Sequence, residues 1–180
     1  ELTYEHPHSD AWYWSISLFH NRYENMIDFI YAIPVLSINR EGVTGMGGEF
    51  QFKWKPIDTL TFRGSYAYLD MTDRGGAPIL YRSKHRGQVN VRYQAALVNI
   101  QLGIQAWSKQ IYEDFLSGSH FDFPIRELPE RIIPELILSR EVNGFTGSLH
   151  ITNLFDTKYE LIQDFPMPGR SWQFNLTKTL

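Results

Sequence analysis

From Arg170 to the end of the chain, apolar and polar residues take turns. Trp172, Phe174, Leu176 and Leu180 fall on one side of an extended backbone, and Ser171, Gln173, Asn175, Thr177 and Thr179 on the other. This two-residue period belongs to a strand whose faces meet different surroundings. It recurs upstream. Phe50, Phe52 and Trp54 alternate with Glu49, Gln51, Lys53 and Lys55, and Leu60, Phe62, Tyr66 and Tyr68 with Thr61, Arg63, Ser65 and Ala67. Val89, Val91 and Tyr93 alternate with Gln88, Asn90, Arg92 and Gln94. The pattern predicts a short strand at residues 1–5 and long ones near 11–30, 44–55, 60–68, 88–94, 98–106, 131–141, 145–153 and 170–180. No stretch shows a helical period, a domain linker or low complexity. The expected class is all-β.

Alternation also describes a soluble sandwich, so two further features separate the readings. The polar face carries Lys53, Lys55, Arg63 and Arg92 beside Gln, Asn and Thr, while the apolar face is bulky and aromatic toward the strand ends. That suits strands facing lipid on one side and water on the other, with aromatic girdles. The connections then sort by length. Residues 6–10, 56–59, 95–97 and 142–144 are short, and 31–43, 71–84, 113–130 and 154–169 are long. Outer-membrane barrels place short turns on the periplasmic side and long loops outside. With the C-terminus on the periplasmic side, every short turn falls there too. The pattern reads as an antiparallel transmembrane β-barrel in a bacterial outer membrane.

Composition removes other classes. Lys+Arg 17 against Asp+Glu 20 gives a net charge of −3 and no field for nucleic acid. The absence of cysteine excludes disulfides and thiolate metal sites. No eighteen apolar residues run together, so no transmembrane helix is encoded, and the start lacks the basic and apolar runs of a signal peptide. The mean hydropathy of −0.31 does not speak against a barrel, whose strands are polar at every second position.

Candidate chemistry lies mainly in the loops. The segment "DFLSGSHFDFPIRELPER" offers Phe115, His120, Phe121, Asp122, Phe123 and Arg126. Aromatics with a cation and an acid suit a bulky, partly polar ligand, and a loop packing on its own aromatics is the competing explanation. His6 and His8 are close enough for a metal but flank a proline in a short turn, so no metal site is assigned. Ser148 and His150 share a strand face and could pair as nucleophile and base only with aligned geometry and an orienting group; polar residues at this period are expected in any wet barrel, and no enzyme is predicted. Asp156 reads as a turn cap and Pro168-Gly169 as a turn that re-aims the chain. Gly47-Gly48 and Gly103 mark a bulge, curvature or the close approach of another group. Trp12 and Trp14, just after a short turn, are candidates for the periplasmic aromatic belt.

The last thirty residues, "ITNLFDTKYELIQDFPMPGRSWQFNLTKTL", resemble the C-terminal end of TonB-dependent outer-membrane receptors. Asn153, Leu154, Phe155 and Asp156 match the Asn-Leu-Phe-Asp motif, Tyr159 and Glu160 the following pair, and Pro168, Gly169 and Arg170 the corner before the final strand. "SLFHNRYENMIDFI", "NREGVTGMGGEFQFKW" and "GGAPILYRSKHR" are similar to further segments of that family, in collinear order. The resemblance implies a 22-stranded barrel around an N-terminal plug. This chain would supply about the last nine strands, and the plug and TonB-contacting box are absent from it. It further implies uptake of a scarce ligand such as an iron–siderophore or cobalamin, powered through TonB by way of the absent plug. Membrane lipid and the remaining strands and plug, from the same or a second polypeptide, would be its partners. No cofactor is implied. One departure is the C-terminal Leu180 in place of an aromatic residue, with Lys178 at an outward position. The alternatives are an autonomous eight-stranded barrel with a structural or adhesive role, and a soluble sandwich.

Overall fold

The computed structural model describes residues 1–30, 36–114, 117 and 123–178. The strands are β1 (Leu2–Ser9), β2 (Trp12–Ile30), β3 (Leu36–Ile57), β4 (Leu60–Thr72), β5 (His85–Gln94), β6 (Asn99–Trp107), β7 (Gln110–Glu113) and β8 (Ile125–Leu128). After them come β9 (Arg131–Val142), β10 (Phe145–Thr152), β11 (Glu160–Ile162), β12 (Phe165–Pro166) and β13 (Ser171–Lys178). Nine form one antiparallel sheet in the order β1-β2-β3-β4-β5-β6-β9-β10-β13. These are the nine expected strands, each paired with its sequence neighbours once the two small hairpins are set aside. The hairpins β7–β8 and β11–β12 rise from the long connections at one end of the sheet.

Tight turns close the other end. Asn143 and Gly144 both have positive φ, 51° and 76°. They form the two-residue turn whose twist matches that of the flanking strands, and Val142 pairs with Phe145 across it. The first turn is tighter than expected from sequence. β1 runs on to Ser9 through an irregularity between Pro7 and Ser9, and only Asp10 and Ala11 remain between the strands.

The expected loop at 31–43 is corrected in its second half, because β3 begins at Leu36. β3–β4 pairing ends at Thr44↔Thr72, yet β2–β3 pairing continues to Ile30↔Leu36. Beyond the sheet the two strands form a free ribbon, tied by Asn39 Nδ2 donating to Asn25 Oδ1 at 3.2 Å and by an Arg40–Asp28 ion pair at 2.6 Å. Adjacent charged residues, Arg40 and Glu41, and Gly42 at φ 68° interrupt the alternation that marks a half-buried strand.

The sheet has one apolar and one polar face. Ile16, Phe50 and Tyr66 stand in one cross-strand row, and Tyr93, Ile100, Leu138, Leu149 and Phe174 in another. Large side chains of this face stay exposed, among them Leu18, Trp54 and, at 77%, Phe174. A soluble protein does not leave so continuous an apolar surface open. Among the described residues no second sheet covers it, which removes the sandwich alternative. Nor does the sheet close as an eight-stranded barrel, because β2 pairs with β1 and β3 rather than with β13. On the polar face Ser15, Gln51, Ser65, Gln88 and Gln105 form a matching row.

Glycines admit the bulk of the neighbours. A Cβ on Gly64 would meet the Phe52 ring, with Phe52 Cζ at 2.8 Å, and one on Gly47 would meet Phe19 Cζ at 2.7 Å. Gly47 and Gly48 lie in regular pairing, with no bulge, and close approach is the meaning realised there. At Gly103 the approaching group is the Glu135 side chain, with Oε1 2.6 Å from where a Cβ would stand.

Candidate functional site

At the long-connection end the β4–β5 connection and the β6–β9 connection are laced together. Tyr81 N donates to Ile111 O at 2.9 Å, and the Tyr81 and Tyr112 rings stack at 6.2 Å. Ser83 Oγ donates to Ser108 O at 3.0 Å, and Gln110 Nε2 to Tyr81 O at 3.2 Å. Buried Arg131, at the start of β9, donates to Gln110 Oε1 at 3.2 Å and lies 4.9 Å from the Trp107 ring centroid. Ile79, within the β4–β5 connection, is 2% exposed. Polar residues that read as loop composition thus build a small packed layer.

Asp114, 6% exposed, is a second node. Its carboxylate accepts from Ser117 Oγ, from Ser117 N at 3.2 Å and from Gln163 Nε2 at 3.3 Å, and pairs with Arg126 Nε at 2.6 Å. One buried acid therefore joins the β7–β8 hairpin to the connection bearing β11–β12. Of the residues singled out as ligand candidates, Arg126 lies on β8 and is held by this acid. Phe115, His120, Phe121 and Asp122 lie outside the described residues.

The motif residues near the C-terminus form a clasp. Asn153 is 3% exposed with φ 49°, and Asp156 has φ 55°, a conformation Asn and Asp tolerate better than other side-chain-bearing residues. Asn153 Oδ1 accepts from Thr157 N at 2.9 Å, and its Nδ2 donates to Thr157 O at 2.9 Å and Pro168 O at 3.3 Å. The Asp156 carboxylate accepts from Arg170 N at 2.8 Å, and Gly169 leaves room for it, a Cβ there standing 2.5 Å from Oδ1. The expected turn cap thus reaches across the whole connection, tying the end of β10 to the start of β13.

Elsewhere the expected groups separate by role. His150 Nε2 lies 3.1 Å from Glu135 Oε2, so its partner is an acid on the next strand and not Ser148. His6 lies against Trp14 and Tyr4, with centroids at 5.4 and 6.4 Å, inside an aromatic band; the side chain of His8 lies outside the described residues. The band includes both expected tryptophans and runs across the turn end. Trp12 meets Trp54 edge-on at 6.5 Å, Trp54 stacks on Phe62 at 5.3 Å, and Trp14 lies 6.4 Å from Phe50. Lys178 places its ammonium 5.7 Å from the Phe145 ring centroid, where its stem covers apolar surface. Sequence reasoning missed the buried Gln110, Asp114 and Arg131. The short alternation in "QIYE" was the one available signal for β7.

Solved structures share this architecture. The sheet superposes on the ferric enterobactin receptor PfeA of Pseudomonas aeruginosa with a TM-score of 0.76 and 15% identity, over 98% of this chain and 30% of that one. For P. aeruginosa FpvA bound to heterologous pyoverdines the values are 0.74 and 12%, over 91% and 24%. The copper transporter OprC gives 0.74 and 17%, over 97% and 29%. The chain thus spans 24–30% of the length of these structures, and the likeness at such identity is one of fold. The family model described as TonB dependent receptor-like, beta-barrel, matches residues 1–126. The chain belongs to the TonB-dependent receptor family and carries nine strands of its β-barrel.

Proposed function

We propose that this chain forms the C-terminal nine strands of a 22-stranded receptor barrel in the bacterial outer membrane, taking up a scarce ligand through a process driven by TonB. One observation carries the reading. A nine-strand meander bears an uncovered apolar face on one side and an amide- and cation-rich face on the other, with every long connection at one end. That is the surface of a wall between lipid and a wet lumen. The long-connection end is then extracellular, and the band of Trp12, Trp14 and Trp54 sits at the periplasmic interface.

The remaining strands and the plug come from the same or a second polypeptide, since open edges at β1 and β13 leave backbone groups unpaired in lipid. The ligand is an iron–siderophore, a cobalamin or another bulky metal-bearing molecule. Three similar structures are named for ferric enterobactin, pyoverdine and copper, so the shared wall does not distinguish among such ligands. Contact falls to the extracellular candidates Phe115, His120, Phe121, Asp122 and Arg126. The test is the intact mass of every polypeptide that co-purifies with these strands in detergent. Residues 1–180 joined to, or accompanied by, a plug and further strands support the reading. A folded 180-residue species alone in detergent refutes it.

A further inference from the structure

The apolar face carries two cations near its short-turn end. Arg140 on β9 is opposite Gly147 on β10, and Gly147 is opposite Leu176 on β13. The neighbouring row toward the middle of the sheet is Leu138, Leu149 and Phe174, and the row toward the turn is Val142, Phe145 and Lys178. Arg140 and Lys178 therefore share the face that the apolar side chains occupy. Among the described residues neither makes an ion pair or a side-chain hydrogen bond, and Lys178 leans over the Phe145 ring, toward β10. The acid beside Arg140 in the chain, Glu141, is in register with Thr146 and Thr177 on the polar face and does not neutralise it. Between the cations lies a hollow. A Cβ on Gly147 would meet nothing within 4 Å, whereas Gly64 and Gly103 give their space to Phe52 and Glu135. The result is an open groove of about 470 Å³ walled by Val98, Leu138, Leu149, Phe174 and Leu176, with Arg140 beside them.

We propose that Arg140, Lys178 and the Gly147 groove form a binding site for one net-anionic glycerophospholipid of the periplasmic leaflet, its phosphate between the cations and an acyl chain in the groove. Arg140 and Lys178 are two strands apart, about 10 Å, and two residues apart along the strands, about 7 Å. Both side chains are long enough to converge on one phosphate while their stems stay on apolar surface. The guanidinium offers a fork that matches phosphate oxygens, and the ammonium adds a point charge. Unpaired cations on a lipid-facing wall are tolerated near the interface, and basic pockets at that depth take anionic headgroups. The charge also selects the headgroup. An ethanolamine lipid brings its own ammonium against two cations, whereas a glycerol headgroup leaves the phosphate charge free for them.

The inference rests on the reading that this face meets lipid with the short turns on the periplasmic side. That reading is checked first, by recovery of the protein in the outer-membrane fraction of the cells that make it, and absence from that fraction overturns the reading and the inference together. The protein is then extracted in detergent, and native mass spectrometry measures its retention of added phosphatidylglycerol and phosphatidylethanolamine with the same acyl chains. The expected result is several-fold stronger retention of phosphatidylglycerol. The preference is lost in the Arg140→Gln/Lys178→Gln double variant and kept in Arg22→Gln, whose cation stands at the long-connection end of the same face. Gly147→Leu fills the groove and lowers retention of both lipids several-fold, while the variant still reaches the membrane. Equal retention of the two lipids, a preference that survives the double variant, or retention unchanged in Gly147→Leu overturns the inference alone. So does inorganic phosphate held as strongly as phosphatidylglycerol, which would mark a site for free anions, or a second copy of the protein held in place of lipid.

Discussion

The carboxylate of Asp156 accepts a hydrogen bond from the backbone N–H of Arg170, at 2.8 Å across fourteen residues. It closes the connection from β10 to β13, and buried Asn153 secures the inner side of the same closure by bridging Thr157 and Pro168. Replacing Asn153 with Ala removes its part-buried hydrogen bonds to the main chain of Thr157 and Pro168, each worth about 0.5–1.5 kcal/mol. The expected outcome is a lower denaturant midpoint for release of β13, followed by Trp172 fluorescence. An unchanged midpoint would show that the clasp holds nothing.

Gly64 and Phe52 are a matched pair, the ring lying where a side chain on Gly64 would begin. Gly64→Ala forces the ring aside and is expected to lower stability by about 1–3 kcal/mol. In the Phe52→Ala background the same change should cost clearly less, since the obstacle is gone. A double-mutant cycle measures this, and additive effects would mean that the two sites are independent.

Asp114 holds Arg126, Ser117 and Gln163 together. Asp114→Ala is expected to weaken local closure by about 1.5–3 kcal/mol, the range for hydrogen bonds to a charged group. The half-exposed Arg126 recovers its hydration, which keeps the loss toward the lower end. Trypsin should then cut after Arg126 faster while the nine-strand sheet remains folded. Unchanged cleavage would place the hairpins' stability elsewhere.

Burial, reinforced by the charge of Asp114, holds the Tyr112 phenol above its ordinary value near 10. The neutral form is favoured in the folded hairpin, so its contribution is complete below pH about 10. It declines as pH rises through the interval up to the folded value. The difference in phenolate absorbance between the protein and Tyr112→Phe should titrate above free tyrosine. Titration at or below the free value would mean that the ring is not buried in solution.

Phe174 and Gln173 are neighbours on opposite faces of β13. If the apolar face meets lipid, Phe174→Arg costs roughly 2–4 kcal/mol near the bilayer midplane, while Gln173→Arg is tolerated because its face is wet. Folding yield into lipid vesicles separates them. Equal effects of the two substitutions would contradict the assignment of faces.

Much of the architecture was legible from residue order, because a two-residue period specifies which side chains share a face wherever the two faces differ. Trp172 and Phe174 against Gln173 and Asn175, or Phe62 against Arg63, are such positions, and all nine strands of the sheet follow from them. Where charged residues and a glycine interrupt the alternation, as Arg40, Glu41 and Gly42 do, the period is lost, which is why residues 36–43 read as loop although they pair with β2. The short strands β8, β11 and β12 hold too few residues to show any period, and β7 shows only the brief alternation of "QIYE". Asn153 and Asp156 could be singled out by motif, but their partners at Pro168 and Arg170 are defined by the path of the chain between.

The sequence by itself determined the strand order, the two faces and the sorting of long and short connections, since each follows from local alternation and turn chemistry. Only the tertiary structure decided that Gly103 makes room for Glu135, that His150 answers Glu135 rather than Ser148, and that Asp114 is buried and holds Arg126. It likewise placed Lys53 directly against Arg63. Contacts across strands depend on register, and a register is a property of two segments together. No single stretch of sequence carries it.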